Sequence, residues 1–378
     1  MRTLKLVVAI LIVLSLSGIA SAQPPLPEIP GGTIVASGFN GPQGVLVDPE
    51  GNVWVIDSGM GGDQAIRIPS QEGGMVEGTM GMSARIVKVA PDGTQTDVVS
   101  LLSLADPEGE TFGGARLALL GGALYATHGG WFGDPAVNPP ADFSVILRVD
   151  GSQIRSVADT WAFEKDNNPE GVILDTHPYG LAAGTDGWLW VADAGANDLY
   201  RVNPDTGEIV LVAVFDALPG VFPNPARNGA MEADPVPTGV AFDADGNAYV
   251  SLLSGAPFVP GSAKVLRVSA DGAVSDYAVG LTTLTDLTRG PDGELYAVQF
   301  GLFTEEGPTP NSGAVLRLKE GGASEVVVSG LPFPTGISFD DDGNAYVAVN
   351  GVGAPGSGAV VRFDRLTEMA GEPLPMAQ

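Results

Sequence analysis

The sequence contains no cysteine and few histidines, positive charges or long apolar runs. Without cysteine it can form neither a disulfide framework nor a lipid-modified cysteine anchor. The sequence has 18 Lys and Arg against 45 Asp and Glu, which gives a formal net charge of −27. This balance argues against nucleic acid or an anionic membrane surface as a partner. Beyond the N-terminal region, no apolar run is long enough to predict a membrane span.

The single strong apolar run is N-terminal and is typical of a secretory signal peptide. Arg2 and Lys5 precede an apolar core over residues 6–16, and Ala20-Ser21-Ala22 is a small-residue cleavage site. We predict cleavage after Ala22 and a soluble, secreted or periplasmic mature protein. Because Arg2 and Lys5 leave with the signal, the formal charge of −27 becomes −29. We expect the mature protein to be a monomer.

A unit of four short strands recurs along the chain and indicates a repeat fold. In residues 236–280, apolar–polar alternation is interrupted by turns at Asp245-Gly246 and Asp271-Gly272, which predicts four antiparallel strands. Such a unit cannot bury its apolar faces alone and therefore requires stacked copies. An aromatic residue in the second strand marks each of six copies: Trp54, Tyr125, Trp190, Tyr249, Tyr296 and Tyr346.

The first strand of each copy is predicted to begin about ten residues before the marker aromatic. The entry residues are Gly44, Ala115, Gly180, Gly239, Asp286 and Gly336. The sixth copy has only three strands, and residues 33–39 resemble the fourth strands of other copies. We therefore predict an all-β fold, a six-bladed β-propeller of four-stranded antiparallel blades whose ring is closed by the N-terminal strand joining the last blade. The predicted divisions are residues 1–22 (signal peptide), 23–32 (Pro-rich leader), 33–366 (propeller) and 367–378 (loose C-terminal tail).

Long insertions fall in only two of the four classes of link between strands. Links between first and second strands are tight, whereas long segments follow second strands or precede first strands. In an up-and-down blade these two classes emerge on one face, so a site is predicted there, at the mouth of the central channel. We expect the Gly-rich residues 58–84 to form a flexible lid over it. Four aromatics of this face, which either stack on a ligand or pack the loops, are Trp131, Phe132, Trp161 and Phe163.

Polar residues near the strand ends of this face are the candidate site residues. Asp57, His128, Asp193 and Gln299 stand three residues past a marker aromatic, while His177 and Asp286 stand at first-strand entries. One interpretation is a channel-mouth binding site in which Asp57, His128 and Asp193 hold one divalent cation, Ca²⁺ or similar, and His177 and His128 are catalytic. The other is that the carboxylates cap turns and the histidines bond local backbone.

Two acidic turns resemble the start of a calcium loop. Residues 243–247 (DADGN) and 340–344 (DDDGN) have the spacing of its first ligands. The glutamate required at the twelfth loop position is missing, and an aromatic strand follows at once. We interpret both segments as tight turns.

Three stretches resemble a known family. Residues 177–209, 236–268 and 284–301 are similar to the ScyD/ScyE family, secreted propellers associated with scytonemin biosynthesis, and the motif VADAG-NDLYRV is the most specific part. The resemblance implies an NHL-like six-bladed propeller and export, and it supplies no catalytic residues. More broadly, the chain resembles propellers of the gluconolactonase and streptogramin-lyase kind. That resemblance implies a metal at the channel mouth, but no matching ligand set is present residue by residue.

Two functions from different classes follow from the sequence. The first is a non-enzymatic binding platform that recognises a small molecule or an extracellular protein through the loop-bearing face. The second is a divalent-metal-dependent hydrolase of the lactonase kind, or a lyase, in which the metal polarises a carbonyl or activates water. An enzyme requires the polar residues to converge on one cavity. In a platform, each of them can be satisfied by backbone.

Overall fold

A computed structural model of the chain describes residues 29–70, 74–304, 306–321 and 323–374. The predicted signal peptide, most of the predicted leader and residues 375–378 lie outside the described residues. Within the described part no helix is long and apolar enough to cross a membrane.

The described chain is built mainly from short strands. In the first part these are β1 (Gly32–Phe39), β2 (Pro42–Val47), β3 (Val53–Asp57), β4 (Gln64–Pro69), β5 (Met75–Val89), β6 (Gln95–Ala105), β7 (Thr111–Phe112), β8 (Gly114–Leu120), β9 (Ala123–His128), β10 (Trp131–Phe132), β11 (Val145–Asp150) and β12 (Gln153–Asp159). A helix, α1 (Thr160–Asn167), follows β12. The middle part contains β13 (Asp175–Thr176), β14 (Pro178–Ala183), β15 (Leu189–Asp193), β16 (Asp198–Val202), β17 (Ile209–Val214), β18 (Leu218–Asn224), β19 (Ala230–Ala233), β20 (Pro237–Phe242), β21 (Ala248–Leu252), β22 (Ala263–Val268) and β23 (Val274–Leu281).

The last part contains β24 (Leu284–Arg289), β25 (Leu295–Gln299), β26 (Phe303–Thr304), β27 (Gly307–Pro308), β28 (Gly313–Arg317), β29 (Glu325–Leu331), β30 (Gly336–Phe339), β31 (Ala345–Val349), β32 (Gly358–Phe363) and β33 (Glu372–Pro373). Two short 3₁₀ helices are also present, at Pro225–Arg227 and Leu366–Glu368.

In the described residues, the larger sheets number six and are all antiparallel. In chain order they are sheet 1 (β2-β3-β5-β6-β7, with β4 on β5), sheet 2 (β8-β9-β11-β12), sheet 3 (β14-β15-β16-β17), sheet 4 (β20-β21-β22-β23), sheet 5 (β24-β25-β28-β29-β33) and sheet 6 (β30-β31-β32-β1). Sheet 6 joins the two ends of the chain, because β1 pairs with β32 in a register that sets Ile34 opposite Val361. The predicted segment 33–39 lies within β1.

The apolar core lies between successive sheets. Separate clusters of buried residues join sheets 1 and 2, 2 and 3, 3 and 4, 4 and 5, 5 and 6, and 6 and 1. Each large sheet is therefore apolar on both faces, which explains why one four-stranded unit is not stable alone. A further cluster, built around Trp131, Phe143 and Trp161, lies beneath the long insertions.

The marker aromatics have a structural role that explains their spacing from the turns. The Trp54 indole donates to the Asp48 carboxylate at 2.8 Å, and the Tyr249 hydroxyl donates to Asp243 at 3.1 Å. The same contact joins Trp190, Tyr296 and Tyr346 to Asp186, Asp292 and Asp340. Asp243 and Asp340 therefore bond within their own hairpins, in agreement with the turn interpretation of DADGN and DDDGN.

Two segments differ from the sequence-based expectation. Residues 58–84 contain a hairpin between β4 and the first half of β5, in which Ile66 pairs with Gly78. This hairpin was not predicted from the sequence, and the role of the segment as a flexible lid stays a prediction. The expected loose tail is also ordered up to Leu374, because β33 pairs with β29 and the Leu374 amide donates to the Ser324 carbonyl. In both cases backbone pairing to an existing strand edge supplies the order.

Candidate functional site

The first strands of the six sheets approach one another closely at one position. An added Cβ at Gly44 would lie 2.5 Å from the Ala115 carbonyl oxygen, and one at Gly180 would lie 2.9 Å from that of Thr238. Glycine is required there because the neighbouring strand leaves no room for a side chain. Gly239 and Gly336 occupy the same position in sheets 4 and 6, whereas sheets 2 and 5 have Arg116 and Asp286.

Arg116 and Asp286 form an ion pair that connects sheets 2 and 5. The Arg116 Nε donates to Asp286 Oδ1 at 3.2 Å, and both side chains are almost fully buried. The two terminal nitrogens of the same guanidinium donate to the carbonyls of Gln43, Ala115, Thr285 and Thr335. Asp286 also accepts from the amides of Leu287 and Ile337, each at 2.9 Å. Burial opposes the charge of Arg116, but Asp286 outweighs it and raises the pKa of Arg116.

The sequence comparison placed Ala115 where the structure places Arg116. The pairing of Gly114 with His128 and of Leu117 with Ala126 makes Arg116 the equivalent of Gly44. The cause is the β8–β9 turn at Gly121-Gly122, which is one residue shorter than the corresponding β2–β3 turn. Counting back ten residues from Tyr125 therefore goes one residue too far.

Asp57 is fully buried, and backbone groups surround its carboxylate. It accepts from the amides of Asn40 at 3.0 Å, Gly41 at 2.8 Å and Gly59 at 3.2 Å. Arg85 lies 3.4 Å from its second oxygen. These contacts tie two loops to the end of β3, which is the capping role that the sequence left open as an alternative.

Asp193 has the same role in sheet 3. Its Oδ1 accepts from the amides of His177, Gly195 and Ala196 at 2.6, 3.1 and 3.1 Å. Its Oδ2 accepts from the hydroxyls of Thr176 at 2.5 Å and Tyr200 at 3.2 Å. Burial raises the pKa of Asp193 despite these donors. With five donors on two oxygens, little coordinating capacity is left for a metal ion.

His128 is buried, and both of its ring nitrogens are occupied. Nδ1 lies 2.8 Å from the Asp142 carbonyl oxygen and Nε2 lies 2.8 Å from that of Leu102. Burial lowers the pKa of His128, and the two carbonyls oppose that change. The ring therefore connects the segments that contain Leu102 and Asp142, and neither of its nitrogens is free.

His177 differs from His128, because its half-buried ring makes no hydrogen bond within the described residues. It lies between the rings of Phe112, with centroids 6.1 Å apart, and Tyr179, with centroids 5.5 Å apart. Gly130 makes room for it, since a Cβ there would lie 3.0 Å from the His177 Cγ. Burial lowers the pKa of His177 to about 4, so the ring is neutral at pH 7.

The residues around His177 form a surface that we call the mouth: Gln43, Glu110, Phe112, Asp175, His177 and Tyr179. The Tyr179 hydroxyl donates to the Gln43 side chain at 2.9 Å, and the Arg116 guanidinium lies 4.5 Å from the Tyr179 ring centre. Burial raises the pKa of Glu110 and of Asp175, and neighbouring carboxylates raise each further. The mouth therefore combines aromatic rings with two carboxyl groups whose ionisation is opposed by burial and by neighbouring carboxylates.

The other candidates are part of the packed interior. Gln299 ends β25, where it pairs with Ala314 and is 8% exposed. Trp131 and Trp161 are 3% and 1% exposed in the cluster beneath the insertions, so packing rather than ligand stacking explains them. Sequence reasoning missed Arg116 and Tyr179. An arginine among glycines at equivalent positions was the available signal for the first of these.

The expected metal centre does not fit the arrangement. Among the described residues, no three His, Asp or Glu side chains are placed to hold one metal ion. Asp57, His128 and Asp193 already direct their coordinating atoms at backbone or hydroxyl groups. A channel-mouth cation on these three residues is therefore not supported by their geometry.

Comparison with known proteins yields structural relatives only. No family model and no curated protein matches the sequence. A putative gluconolactonase aligns with 91% of this chain and 94% of its own at 15% identity and a TM-score of 0.51. A gluconolactonase from Xanthomonas campestris aligns with 88% of this chain and 89% of its own at 14% identity and a TM-score of 0.51. A putative oxidoreductase (glucose dehydrogenase) from Thermus thermophilus aligns with 88% of this chain and 98% of its own at 18% identity and a TM-score of 0.50.

The chain has a β-propeller fold. At identities below 20% these likenesses establish the fold and carry no reaction with them. The resemblance to the ScyD/ScyE family stays a prediction.

Proposed function

We propose that the six large sheets are the blades of one closed six-bladed propeller, with β1 as the outer strand of the last blade. The contacts between first strands support this arrangement: β2 lies against β8, β8 against β14, β14 against β20, β20 against β24, β24 against β30, and β30 against β2. The cyclic series of interface cores supports it as well. In this arrangement the Arg116–Asp286 pair fills the central channel.

We further propose that the protein is exported, is monomeric and acts as a ScyD/ScyE-like binding platform whose ligand docks at the mouth. The observation that carries this proposal is that the candidate polar side chains differ in whether their hydrogen-bonding groups are already occupied. Asp57, His128, Asp193 and Asp286 are saturated by contacts within the fold, whereas the half-buried His177 ring makes no hydrogen bond to any described residue. A surface with unused polar capacity beside aromatic rings is suited to recognition.

The chemistry of the mouth favours a ligand with a positive charge next to an aromatic group. Phe112, His177 and Tyr179 supply faces and edges for an aromatic ring. Glu110 and Asp175 supply two closely placed carboxyl groups, and a cationic group bound beside them would favour their ionised forms. An amine-bearing aromatic compound, or a side chain of that kind on an extracellular protein, satisfies both features.

The proposal is tested with small aromatic amines as probes. Tyramine, tryptamine and benzamidine are titrated into the mature protein by calorimetry, and 4-ethylphenol serves as the uncharged analogue of tyramine. We expect the amines to bind and 4-ethylphenol to bind much more weakly. Binding should weaken in His177→Gln and in Asp175→Asn, and should be unchanged in Tyr277→Phe, a control on the outer strand of sheet 4. Absence of binding by all three amines, or equal binding by His177→Gln, contradicts the proposal.

A second candidate function, a lactonase-like hydrolase or a lyase, is favoured by one observation. The His177 ring makes no hydrogen bond within the described residues, so a nitrogen lone pair of the neutral ring is available to a water molecule as proton acceptor. Glucono-1,5-lactone hydrolysis in a pH-stat separates the two functions. The binding proposal predicts equal rates for wild type, His177→Gln and buffer. A wild-type rate that His177→Gln abolishes and Tyr277→Phe retains would establish the hydrolase instead.

A further inference from the structure

Unsatisfied polar atoms are concentrated at one place, around the helix α1. Eight buried side-chain N or O atoms of the described residues lack a hydrogen-bond partner, and six of them belong to Ser144, Trp161, Glu164 and Asp198. Trp161 and Glu164 lie in α1, and the Ser144 carbonyl accepts from Thr160, the first residue of that helix. Buried polar groups are normally paired, so this concentration indicates a missing partner.

The two acids are the most costly members of this group. Asp198 is 0% exposed and Glu164 is 1% exposed, and neither carboxylate has a partner on either oxygen. An isolated buried carboxylate is strongly unfavourable, because burial removes its hydration without replacing it. The Asp175 backbone amide approaches Glu164 and favours its ionised form, but it does not meet hydrogen-bond geometry with either oxygen.

Further negative charge surrounds the pair. Asp198 lies directly opposite Asp193 in the β15–β16 register. Burial raises the pKa of both Glu164 and Asp198, and the charges of Asp193 and Glu170 raise each further. The charge of Asp175 acts on Glu164 in the same direction. The site therefore concentrates carboxylates that repel one another.

The neighbouring basic residues have other partners. Arg227 pairs with Glu170 and, at 2.6 Å, with Asp234. Lys165, the residue after Glu164, donates to the Asn138 side chain at 2.7 Å and lies over the Trp161 ring. Neither cation is paired with Glu164 or Asp198, so the charge of these acids is not balanced by the cations next to them in the fold.

We propose that Glu164 and Asp198 hold a divalent cation, Ca²⁺, between α1 and the start of β16. Both ligands supply hard oxygen atoms, which suits Ca²⁺ rather than a thiolate- or imidazole-preferring metal. Ca²⁺ accepts hydroxyl, carbonyl and water oxygens beside carboxylates, so two carboxylates are a sufficient protein core even though no third acidic side chain is suitably placed. The saturated Asp193 contributes charge rather than coordination. The two proposed ligands, Glu164 and Asp198, differ from the channel-mouth set Asp57, His128 and Asp193.

Terbium luminescence and melting curves test the site in the mature full-length protein. The protein is stripped with EGTA, titrated with Tb³⁺ under tryptophan excitation, and then titrated with Ca²⁺ as competitor. Trp161 lies one helical turn from Glu164 and serves as the sensitiser. We expect one Tb³⁺ per chain, displacement by Ca²⁺, and a higher melting temperature with CaCl₂ than with EGTA.

Matched variants locate the ion. Asp198→Asn and Glu164→Gln should each weaken Tb³⁺ binding by about tenfold or more and remove the Ca²⁺-dependent rise in melting temperature. Asp166→Asn, an exposed change in the same helix, should leave both unchanged. With EGTA present, Asp198→Asn and Glu164→Gln should melt no lower than wild type, because they remove repelling charge.

Two outcomes overturn the proposal. One is a wild-type protein that shows neither sensitised Tb³⁺ emission nor a melting shift with Ca²⁺. The other is wild-type binding retained by both Asp198→Asn and Glu164→Gln, which places the ion elsewhere. Because the wild-type comparison with and without EGTA needs no variant, the test stands even if one substitution prevents folding.

Discussion

Replacing Arg116 with methionine is the substitution that most directly tests how the centre of the fold is held together. Methionine keeps a long unbranched side chain but removes every guanidinium donor. The change strips Asp286 of its ion pair and leaves four backbone carbonyls, from four segments of the chain, without their donor. We expect Arg116→Met to be among the most destabilising single changes in the protein.

The structure sets the magnitude. Removing one member of a buried ion pair costs about 3–5 kcal/mol, because the other charge stays buried without compensation. Asp286 keeps two amide donors, from Leu287 and Ile337, which places the carboxylate's own contribution at the lower end of that range. The four carbonyls that lose their donor add to the cost of Arg116→Met. Asp286→Asn should cost less than Arg116→Met, because Arg116 then retains its four carbonyl acceptors.

Equilibrium urea unfolding, followed by tryptophan fluorescence, measures these differences. The control is Arg148→Met, which removes an arginine from sheet 2 whose partner Asp150 is 55% exposed at the surface. We expect no measurable change in that variant, since exposed pairs contribute little. The double variant Arg116→Met/Asp286→Asn should lose less stability than the sum of the two single changes, because the residues interact directly.

Two results would refute this reasoning. If Arg116→Met unfolds at the same urea concentration as Arg148→Met, the buried guanidinium does not hold the sheets together. If the two single changes add without coupling, Arg116 and Asp286 do not act as a pair.

Three further substitutions have defined outcomes. Burial lowers the pKa of His177 to about 4, so wild type loses stability progressively as the pH falls from about 6.5 to 4. His177→Gln should lose less stability over the same pH range. Identical pH profiles of the two proteins in thermal melts would contradict this. Asp57→Ala should cost about 1–3 kcal/mol in urea unfolding, because three amides lose their acceptor, and a neutral effect would contradict the capping role. Tyr249→Phe should cost about 1 kcal/mol through the lost bond to Asp243 and should remove part of the alkaline destabilisation, because burial and Asp243 raise the pKa of Tyr249 to about 12; equal alkaline melting curves would argue against it.

The fold was predictable because its signals are local and repeated. Alternating strands, Asp-Gly turns and a marker aromatic recur together, and each marker other than Tyr125 bonds to its turn aspartate. The order within the insertions was not predictable in the same way. The hairpin over residues 58–84 depends on β5 continuing past the edge of its sheet to pair with β4, and a Gly-rich sequence does not show that continuation.

The sequence allowed a prediction of where candidate residues lie on the strands, but not of what their side chains contact. The alignment of strand ends predicted that one face carries the insertions, and it selected Asp57 and Asp193 as equivalent residues. It could not distinguish a carboxylate aimed at a ligand from one aimed at nearby backbone amides. Arg116 was missed because one shortened turn displaced it from the repeat register. Its pairing with Asp286 was also not visible in the sequence, because the two residues are far apart along the chain and meet only in the folded structure.

The same comparison shows where recognition can evolve in this molecule. Asp57 and Asp193 hold the loops that follow their strands, and Arg116 with Asp286 occupies the centre, so changes at these positions would alter stability before they altered a ligand. The residues with unused capacity lie elsewhere: His177 is at the mouth, Glu164 is in the inserted helix α1, and Asp198 is at the start of β16. A cation bound by Glu164 and Asp198 would also stabilise the segment between α1 and β14 that presents His177. Ca²⁺ and an aromatic amine should therefore bind with positive coupling, and amine titrations in CaCl₂ and in EGTA measure that coupling directly.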